Sequence, residues 1–204
     1  VQVERSVRIV IIGAGFAGIG AAIRLLQSGE SDLVVLERAE RLGGTWRDNV
    51  YPGCRCDVPS HLYSYSFAPN PGWSSTYADQ SEIWAYLEAT AERFGVVPYV
   101  EFGHDVAEAS WDAPSASWRV RSNRGLFVSR YLISATGTLV EPKFPEIPGR
   151  SCFAGPVMHS ARWDDSIELG GRRVAVVGTG ASAVQIVPSI QPQVGHLDVF
   201  QRTS

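Results

Sequence analysis

Two glycine-rich turns carry the residue types and spacing that could do chemistry. The first, Gly13-Ala14-Gly15-Phe16-Ala17-Gly18, follows the β-branched run Val7–Ile12 and precedes apolar residues at helical spacing, Ala21, Ala22, Ile23, Leu25 and Leu26. Gly13 allows a tight turn, Gly15 lets a pyrophosphate approach the backbone, and Gly18 lets helix and strand pack closely. The free N–H groups at the helix start then face the anion. Glu37 ends the next apolar run, Leu33-Val34-Val35-Leu36, where a carboxylate accepts hydrogen bonds from an adenosine ribose. The same carboxylate repels a 2′-phosphate. The second turn is Gly178-Thr179-Gly180-Ala181-Ser182-Ala183, with alanine in place of the third glycine. Arg202 follows Gly178 at the interval at which Glu37 follows Gly13, so a cation stands where the first unit has an acid. Arg202 can pair with a 2′-phosphate, and Thr203 can donate a hydroxyl hydrogen bond to it. Two units that both hold NAD are the alternative.

The elements that must position these turns follow from periodicity. Gly29 stops the first helix. A second helix is expected from Asp79 to Gly95, capped by Asp79 or Ser81, with Ile83, Leu87, Ala91 and Phe94 on one face. Short strands are expected at Val97–Phe102, Val106–Trp111, Trp118–Ser122 and Leu126–Val128, joined by polar turns that suit hairpins. A buried strand, Tyr131–Ser134, ends in Ala135-Thr136-Gly137, small residues that leave room for a ligand at the sheet edge. Pro142, Pro145 and Pro148 make a stiff connection. Beyond it a strand at Arg173–Val177, a helix at Val184–Ile190 and a strand at His196–Phe200 repeat the opening pattern.

Composition bounds the remaining readings. The hydrophobic fraction of 45% is that of a globular protein, and no apolar run approaches the roughly 20 residues of a membrane span. A net charge of −3 argues against a nucleic-acid surface. Arg8 interrupts the first apolar stretch, so no signal peptide is read there. Cys54, Cys56 and Cys152 are odd in number and lack the spacing of a zinc site, so no metal site is expected. Free thiols in a cytoplasmic protein are the expectation. Cys54 and Cys56 are too close in sequence to pair without strain.

Two further stretches are rich in functional residue types. Leu42-Gly43-Gly44-Thr45-Trp46 combines glycines that permit close backbone approach with an indole face. Tyr51-Pro52-Gly53-Cys54-Arg55-Cys56-Asp57 forms a rigid loop that, if extended, puts Arg55 and Asp57 on one side. A later segment, Phe153 to Asp164, carries a single imidazole, His159, between aromatic anchors.

These stretches resemble the Baeyer–Villiger class of flavin monooxygenases. The G-G-x-W and Y-P-G-x-x-x-D patterns are those of the class, and Phe153, Gly155, His159, Trp163 and Asp164 match its F-x-G-x-x-x-H-x-x-x-W-[P/D] signature. The resemblance implies an α/β fold with two dinucleotide-binding domains, a Rossmann-like parallel sheet with a small antiparallel β-meander insertion, incomplete at the C-terminus. It places an FAD domain at 1–139, a linker at 140–170 and the start of an NADPH domain at 171–204. It implies FAD at the first turn, through Gly13, Gly15, Phe16, Ala17, Gly18, Glu37, Arg38, Gly44, Thr45, Trp46, Asp48, Arg55, Cys56, Asp57, Tyr63, Val106, Ala135, Thr136 and Gly137. It implies NADPH at the second, through Gly178, Thr179, Gly180, Ala181, Ser182, Ala183, Gln185, Arg202 and Thr203, with His159 coupling the domains and positioning cofactor. Asp57 is the candidate catalytic residue, orienting an arginine expected downstream of Ser204. The reaction implied is NADPH-dependent insertion of oxygen from O₂ beside a ketone, by way of a flavin peroxide. An N- or S-oxygenase of the same superfamily and an inactive nucleotide-binding fragment are the alternatives. No nucleic-acid or membrane partner is expected, and the remainder of the enzyme is expected after Ser204.

Overall fold

The computed structural model describes residues 3–202. Its contacts gather the chain into two units. Tyr65–Ala68, Ile83–Val140 and the stretch ending at Arg47 form the first; Asp48–Ser64, Pro69–Glu82 and the chain from Glu141 onward form the second. The loop segments around Asp57, expected with the first domain, thus gather with later chain.

The first unit is built on a six-stranded sheet in the order β3-β2-β1-β6-β5-β4, comprising β1 Val3–Ile12, β2 Leu33–Glu37, β3 Val100–Phe102, β4 Val106–Asp112, β5 Ser117–Ser122 and β6 Gly125–Ser134. Strands β3, β2, β1 and β6 are parallel, and β5 and β4 continue the sheet antiparallel. Helix α1, Phe16–Gln27, is the crossover from β1 to β2, and Gly29 at φ +87° follows its end. One face of the sheet presents Ile9, Ile11, Leu33 and Val35 to Ile19, Ala22 and Ile23 of α1 and to Leu87 and Ala91. The other presents Val10, Val34 and Leu36 to Val120 and Phe127. Continuous β-branched runs suit strands buried on both faces.

A four-residue helix, α2, covers Thr45–Asp48, and α3 covers Gln80–Arg93. Asp79 caps α3, its Oδ1 accepting from the Glu82 amide at 2.9 Å and from Ser81 Oγ at 2.9 Å. Those two bonds hold the Asp79 carboxyl below its ordinary range. Three expected strands differ from observation. Val97–Tyr99 is a 3-10 turn, because Pro98 has no N–H for a ladder, so β3 begins only at Val100. The expected strands Leu126–Val128 and Tyr131–Ser134 are one, since β6 pairs with β1 in a single register from Val3↔Gly125 to Ile12↔Ser134. The antiparallel strands β4 and β5 enter the chain between β3 and β6, and their ladder runs on into β6, the fourth parallel strand in chain order.

In the second unit β7, Arg173–Val177, pairs in parallel with β8, His196–Phe200, and α4, Ala181–Ile190, crosses between them. Ile186 and Ile190 are the buried residues of α4. No described helix is long and apolar enough to cross a membrane.

The tightest steric constraint lies at the first turn. A Cβ on Gly18 would overlap the Gly13 carbonyl oxygen, and one on Gly13 would stand 2.5 Å from Ala135 O. Gly18→Ala is expected to destabilise the protein by about 3 kcal/mol or more, the upper end of overpacking costs. Gly170→Ala, whose Cβ meets nothing within 4 Å, is expected to stay within about 0.5 kcal/mol of wild type. Chemical denaturation of the two variants checks the contrast.

Candidate nucleotide sites

The first site is assembled at the carboxyl ends of the parallel strands, from four loops drawn together by backbone hydrogen bonds. The Gly13 amide donates to Leu36 O at 2.8 Å, Ala135 N to Ile12 O at 2.8 Å, and Gly43 N to Ala14 O at 2.8 Å. The first glycine turn, the end of β2, the Gly43-Gly44 loop and the Ala135-Thr136-Gly137 segment therefore meet at one edge, as the sequence led one to expect. Gly15 and Gly44 face each other: a Cβ on Gly44 would lie 3.1 Å from Gly15 Cα, whereas one on Gly15 would meet only Gly44 Cα, at 3.7 Å. This is a cradle walled by bare backbone, and no side chain caps α1 at Gly15. Its shape fits a pyrophosphate lying against the turn, with the amides of Phe16, Ala17 and Gly18 at the helix start.

The surrounding side chains are placed as follows. Phe16 O accepts from Tyr65 Oη at 2.6 Å, and the two rings tilt together at 5.2 Å. Gly20 makes room for that Tyr65 ring, since a Cβ there would stand 2.8 Å from its edge. Tyr65 itself was not singled out from sequence. Trp46 packs partly buried against the main core, Thr45 starts α2, and Asp48 ends it half-buried. Val106 opens β4 and packs on the second cluster, while Arg38, Thr136 and Gly137 are exposed at the sheet edge.

Glu37 is engaged more heavily than sequence alone indicates. Only 4% of it is exposed. Its Oε2 accepts from Ala14 N at 2.8 Å, and its Oε1 accepts from Ala39 N at 3.0 Å and from Arg47 Nη1 at 2.9 Å. Arg47 also donates to Arg41 O at 2.5 Å, so its guanidinium locks the acid to the loop that follows β2. Any ribose hydroxyl must share Glu37 with these donors. The sequence signal for Arg47 was slight: a basic residue in the G-G-x-W stretch has no partner until the fold supplies one.

The second site is more open. Among the described residues, no heavy atom lies within 4 Å of a Cβ built on Gly178, at φ +115°, or on Gly180. Gly178 N donates to Phe200 O at 2.9 Å. This bond corrects the expected equivalence of Arg202 and Glu37. In the first unit Ile12 pairs with Leu36 ahead of Gly13; in the second Val177 pairs with Phe200 ahead of Gly178. The stretch from turn to strand is one residue shorter in the second unit, so Gln201 is the counterpart of Glu37, and Arg202 that of Arg38. Arg202 is exposed. Thr203 lies outside the described residues.

In the same unit Arg55 and Asp57 are exposed and alternate with buried Cys54 and Cys56, as expected of an extended loop. Cys56 N donates to Ala78 O at 2.9 Å, and Gln80 N to Cys54 O at 2.9 Å. Burial pushes both thiols up, which leaves them unactivated. Tyr63 is half-buried, its amide donating to Ser60 O at 2.9 Å. Gln185, expected at the cofactor, instead turns its carboxamide to the loop: Nε2 donates to Arg55 O at 2.9 Å. His159 folds the linker. Its Nδ1 accepts from Ala161 N at 3.1 Å, and its ring meets Phe144 edge-on at 5.5 Å.

A model of the pyridine nucleotide-disulphide oxidoreductase family matches residues 10–203. The chain belongs to this family. It is 55% identical to a Baeyer–Villiger monooxygenase of Streptomyces coelicolor over 202 residues, 99% of this chain and 39% of that protein. The crystal structure of a cyclohexanone monooxygenase from Rhodococcus sp. Phi1 bound to NADP⁺ superposes with a TM-score of 0.90 at 36% identity, over 98% of this chain and 39% of that one. OTEMO, crystallised with FAD and NADP, superposes with a TM-score of 0.89 at 37% identity, over 97% and 39%. The chain thus spans about two fifths of the length of these relatives. Among the described residues Cys54, Cys56 and Cys152 are free.

The Arg47–Glu37 pair, 12% and 5% exposed at the side chains, generates a stability prediction. Arg47→Met leaves a buried carboxylate without its cation and is expected to cost about 3–5 kcal/mol. Adding Glu37→Gln is expected to recover part of that loss, which a double-mutant cycle of urea denaturation measures.

Proposed function

We propose that this chain is the nucleotide-binding part of an FAD- and NADPH-dependent Baeyer–Villiger monooxygenase that converts a ketone to an ester or lactone with O₂. The sequence 1–139 supplies the FAD domain, 140–170 the connection and 171–204 the start of the NADPH domain. One observation carries the reading: two bare-backbone glycine turns, one beside a buried acid and one beside Gln201 and Arg202, stand in a chain 55% identical to a Baeyer–Villiger enzyme. The Baeyer–Villiger relative and the cofactors bound in the similar crystal structures support it.

Gly13, Gly15 and Gly18 with the α1 amides would hold the FAD pyrophosphate, and Glu37 its ribose. FAD, when bound, supplies the redox chemistry that takes a hydride from NADPH and passes electrons to O₂. This chain's residues bind and orient. The turn Gly178–Ala183 would seat the NADPH pyrophosphate. Gln201 is uncharged, so it does not repel a 2′-phosphate as a carboxylate would, and Arg202 beside it offers the cation that attracts one. Asp57, exposed on its loop, offers a fixed negative charge to orient a cation near the nicotinamide. We infer a cytoplasmic location from the free thiols.

The full-length protein is expected to be yellow and to form ester or lactone from a cyclic ketone, with one NADPH consumed per product. Oxidation of amines or sulfides with no ester formed would overturn the Baeyer–Villiger reading in favour of N- or S-oxygenation. Arg202→Ala is expected to raise KM for NADPH about ten- to a hundredfold while leaving NADH nearly unchanged, as loss of a charge-assisted hydrogen bond requires. Steady-state kinetics with both coenzymes at one ionic strength decides it, and an equal change for both would remove Arg202 from 2′-phosphate recognition.

A further inference from the structure

We propose that Gln185 is a positioning residue that ties the loop bearing Asp57 to the second glycine turn, so that coenzyme bound at the turn orders Asp57. The proposal rests on the reading of residues 178–183 as a coenzyme site and of Asp57 as a group acting beside it.

Gln185 sits on α4 one turn beyond Ser182. Its Oε1 accepts from Tyr51 Oη at 3.0 Å and from Arg55 N at 3.3 Å, while its Nε2 donates to Arg55 O at 2.9 Å. A primary amide that pairs with both backbone groups of one residue does what a neighbouring strand would do. On its other side the same stretch pairs with residues 78–80, through Arg55↔Asp79 and the Cys56–Ala78 and Gln80–Cys54 bonds. The loop is therefore held from both edges, one of them provided by a single side chain of the coenzyme-site helix.

Tyr51 extends this tie to the turn itself. It is 8% exposed, and its hydroxyl is hydrogen-bonded to Ser182 as well as to Gln185. Burial pushes the phenol up to about 12, which keeps it a proton donor at any physiological pH. Gly53 completes the fit. At φ +79° it lies flush on α4, where a Cβ would stand 2.7 Å from Gln185 O and overlap Ser189 Oγ. Asp57 follows two residues after Arg55 on this clamped backbone. Arg55, Asp57 and Asp79 are the charged residues beside the clasp, but its bonds are made by neutral groups, so they depend little on ionic screening. Glutamate at 185 could keep the two accepted bonds but could not donate to Arg55 O.

The test uses the full-length protein and NADP⁺, with hydrogen exchange followed by mass spectrometry in peptides covering residues 51–57. In wild type, NADP⁺ is expected to slow exchange of that loop. In Gln185→Leu, exchange without coenzyme is expected to be at least about tenfold faster, since leucine makes none of the three bonds of Gln185. NADP⁺ is expected to bind that variant within about threefold of wild-type affinity by calorimetry, yet to leave loop exchange unchanged. The rate constant of flavin reduction should then fall with KM for NADPH preserved. Gln185→Glu should lie between the two, and it carries the comparison if the leucine variant fails to fold. Equal NADP⁺ protection of the loop in wild type and in the variants would overturn the tie. Wild-type protein that binds NADP⁺ without any slowing of the loop would also overturn it. Failure of the wild type to bind NADP⁺ at all would instead overturn the coenzyme reading beneath it.

Discussion

The first unit depends on the absence of side chains where β1 turns into α1. The Gly13 carbonyl fills the space a Cβ on Gly18 would need, and the space at Gly13 is filled by Ala135 O. Strand, helix and the end of β6 can approach this closely only because two residues present nothing but backbone. Once that contact is made, the rest of the edge follows from unsatisfied peptide groups. Ala14 N finds Glu37, Ala14 O finds Gly43 N, and Gly13 N finds Leu36 O. The carboxylate drawn into this network is buried, and a buried anion demands a cation, which Arg47 provides.

The second unit solves the corresponding problem with neutral groups. Tyr51, Ser182, Gln185 and the Arg55 backbone share donors and acceptors. A neutral network is satisfied by geometry alone and carries no net field. Within the linker the His159 ring contacts Phe144 and accepts from the Ala161 amide.

Much of this was legible in the sequence because glycine spacing and β-branched runs report local backbone demands. The two turns, both crossover helices, the Asp79 cap and the buried/exposed alternation through Cys54–Asp57 all stand where periodicity and capping chemistry put them. What sequence left out is partner choice across long separations. Arg47 finds Glu37, Gln185 finds Arg55, and Tyr65 finds Phe16 only after the chain has folded back. The continuity of β6 was hidden because the polar residues Ser129 and Arg130 interrupt its apolar pattern, although the strand is continuous and its pairing with β1 keeps one register on both sides of Arg130. The mismatch between Glu37 and Arg202 has a different origin. Counting residues from a glycine assumes equal connections, and a connection shorter by one moves every later side chain to the other face of the strand.

The pairing of β1 with β6 also bears on how the chain is made. Strand β1 emerges well before its long neighbour on one side, Gly125–Ser134, more than a hundred residues later. At translation rates of about 5–20 residues per second, that edge waits several seconds for its partner. Only β2 is available early, and it pairs with no more than Ile9 to Ile12. During this interval the amino-terminal half of β1 is an open template for strand addition. Glu4, Arg5, Ser6 and Arg8 lie along that half, a run of charged and polar side chains that keeps a nascent edge from pairing with its neighbours on the polysome.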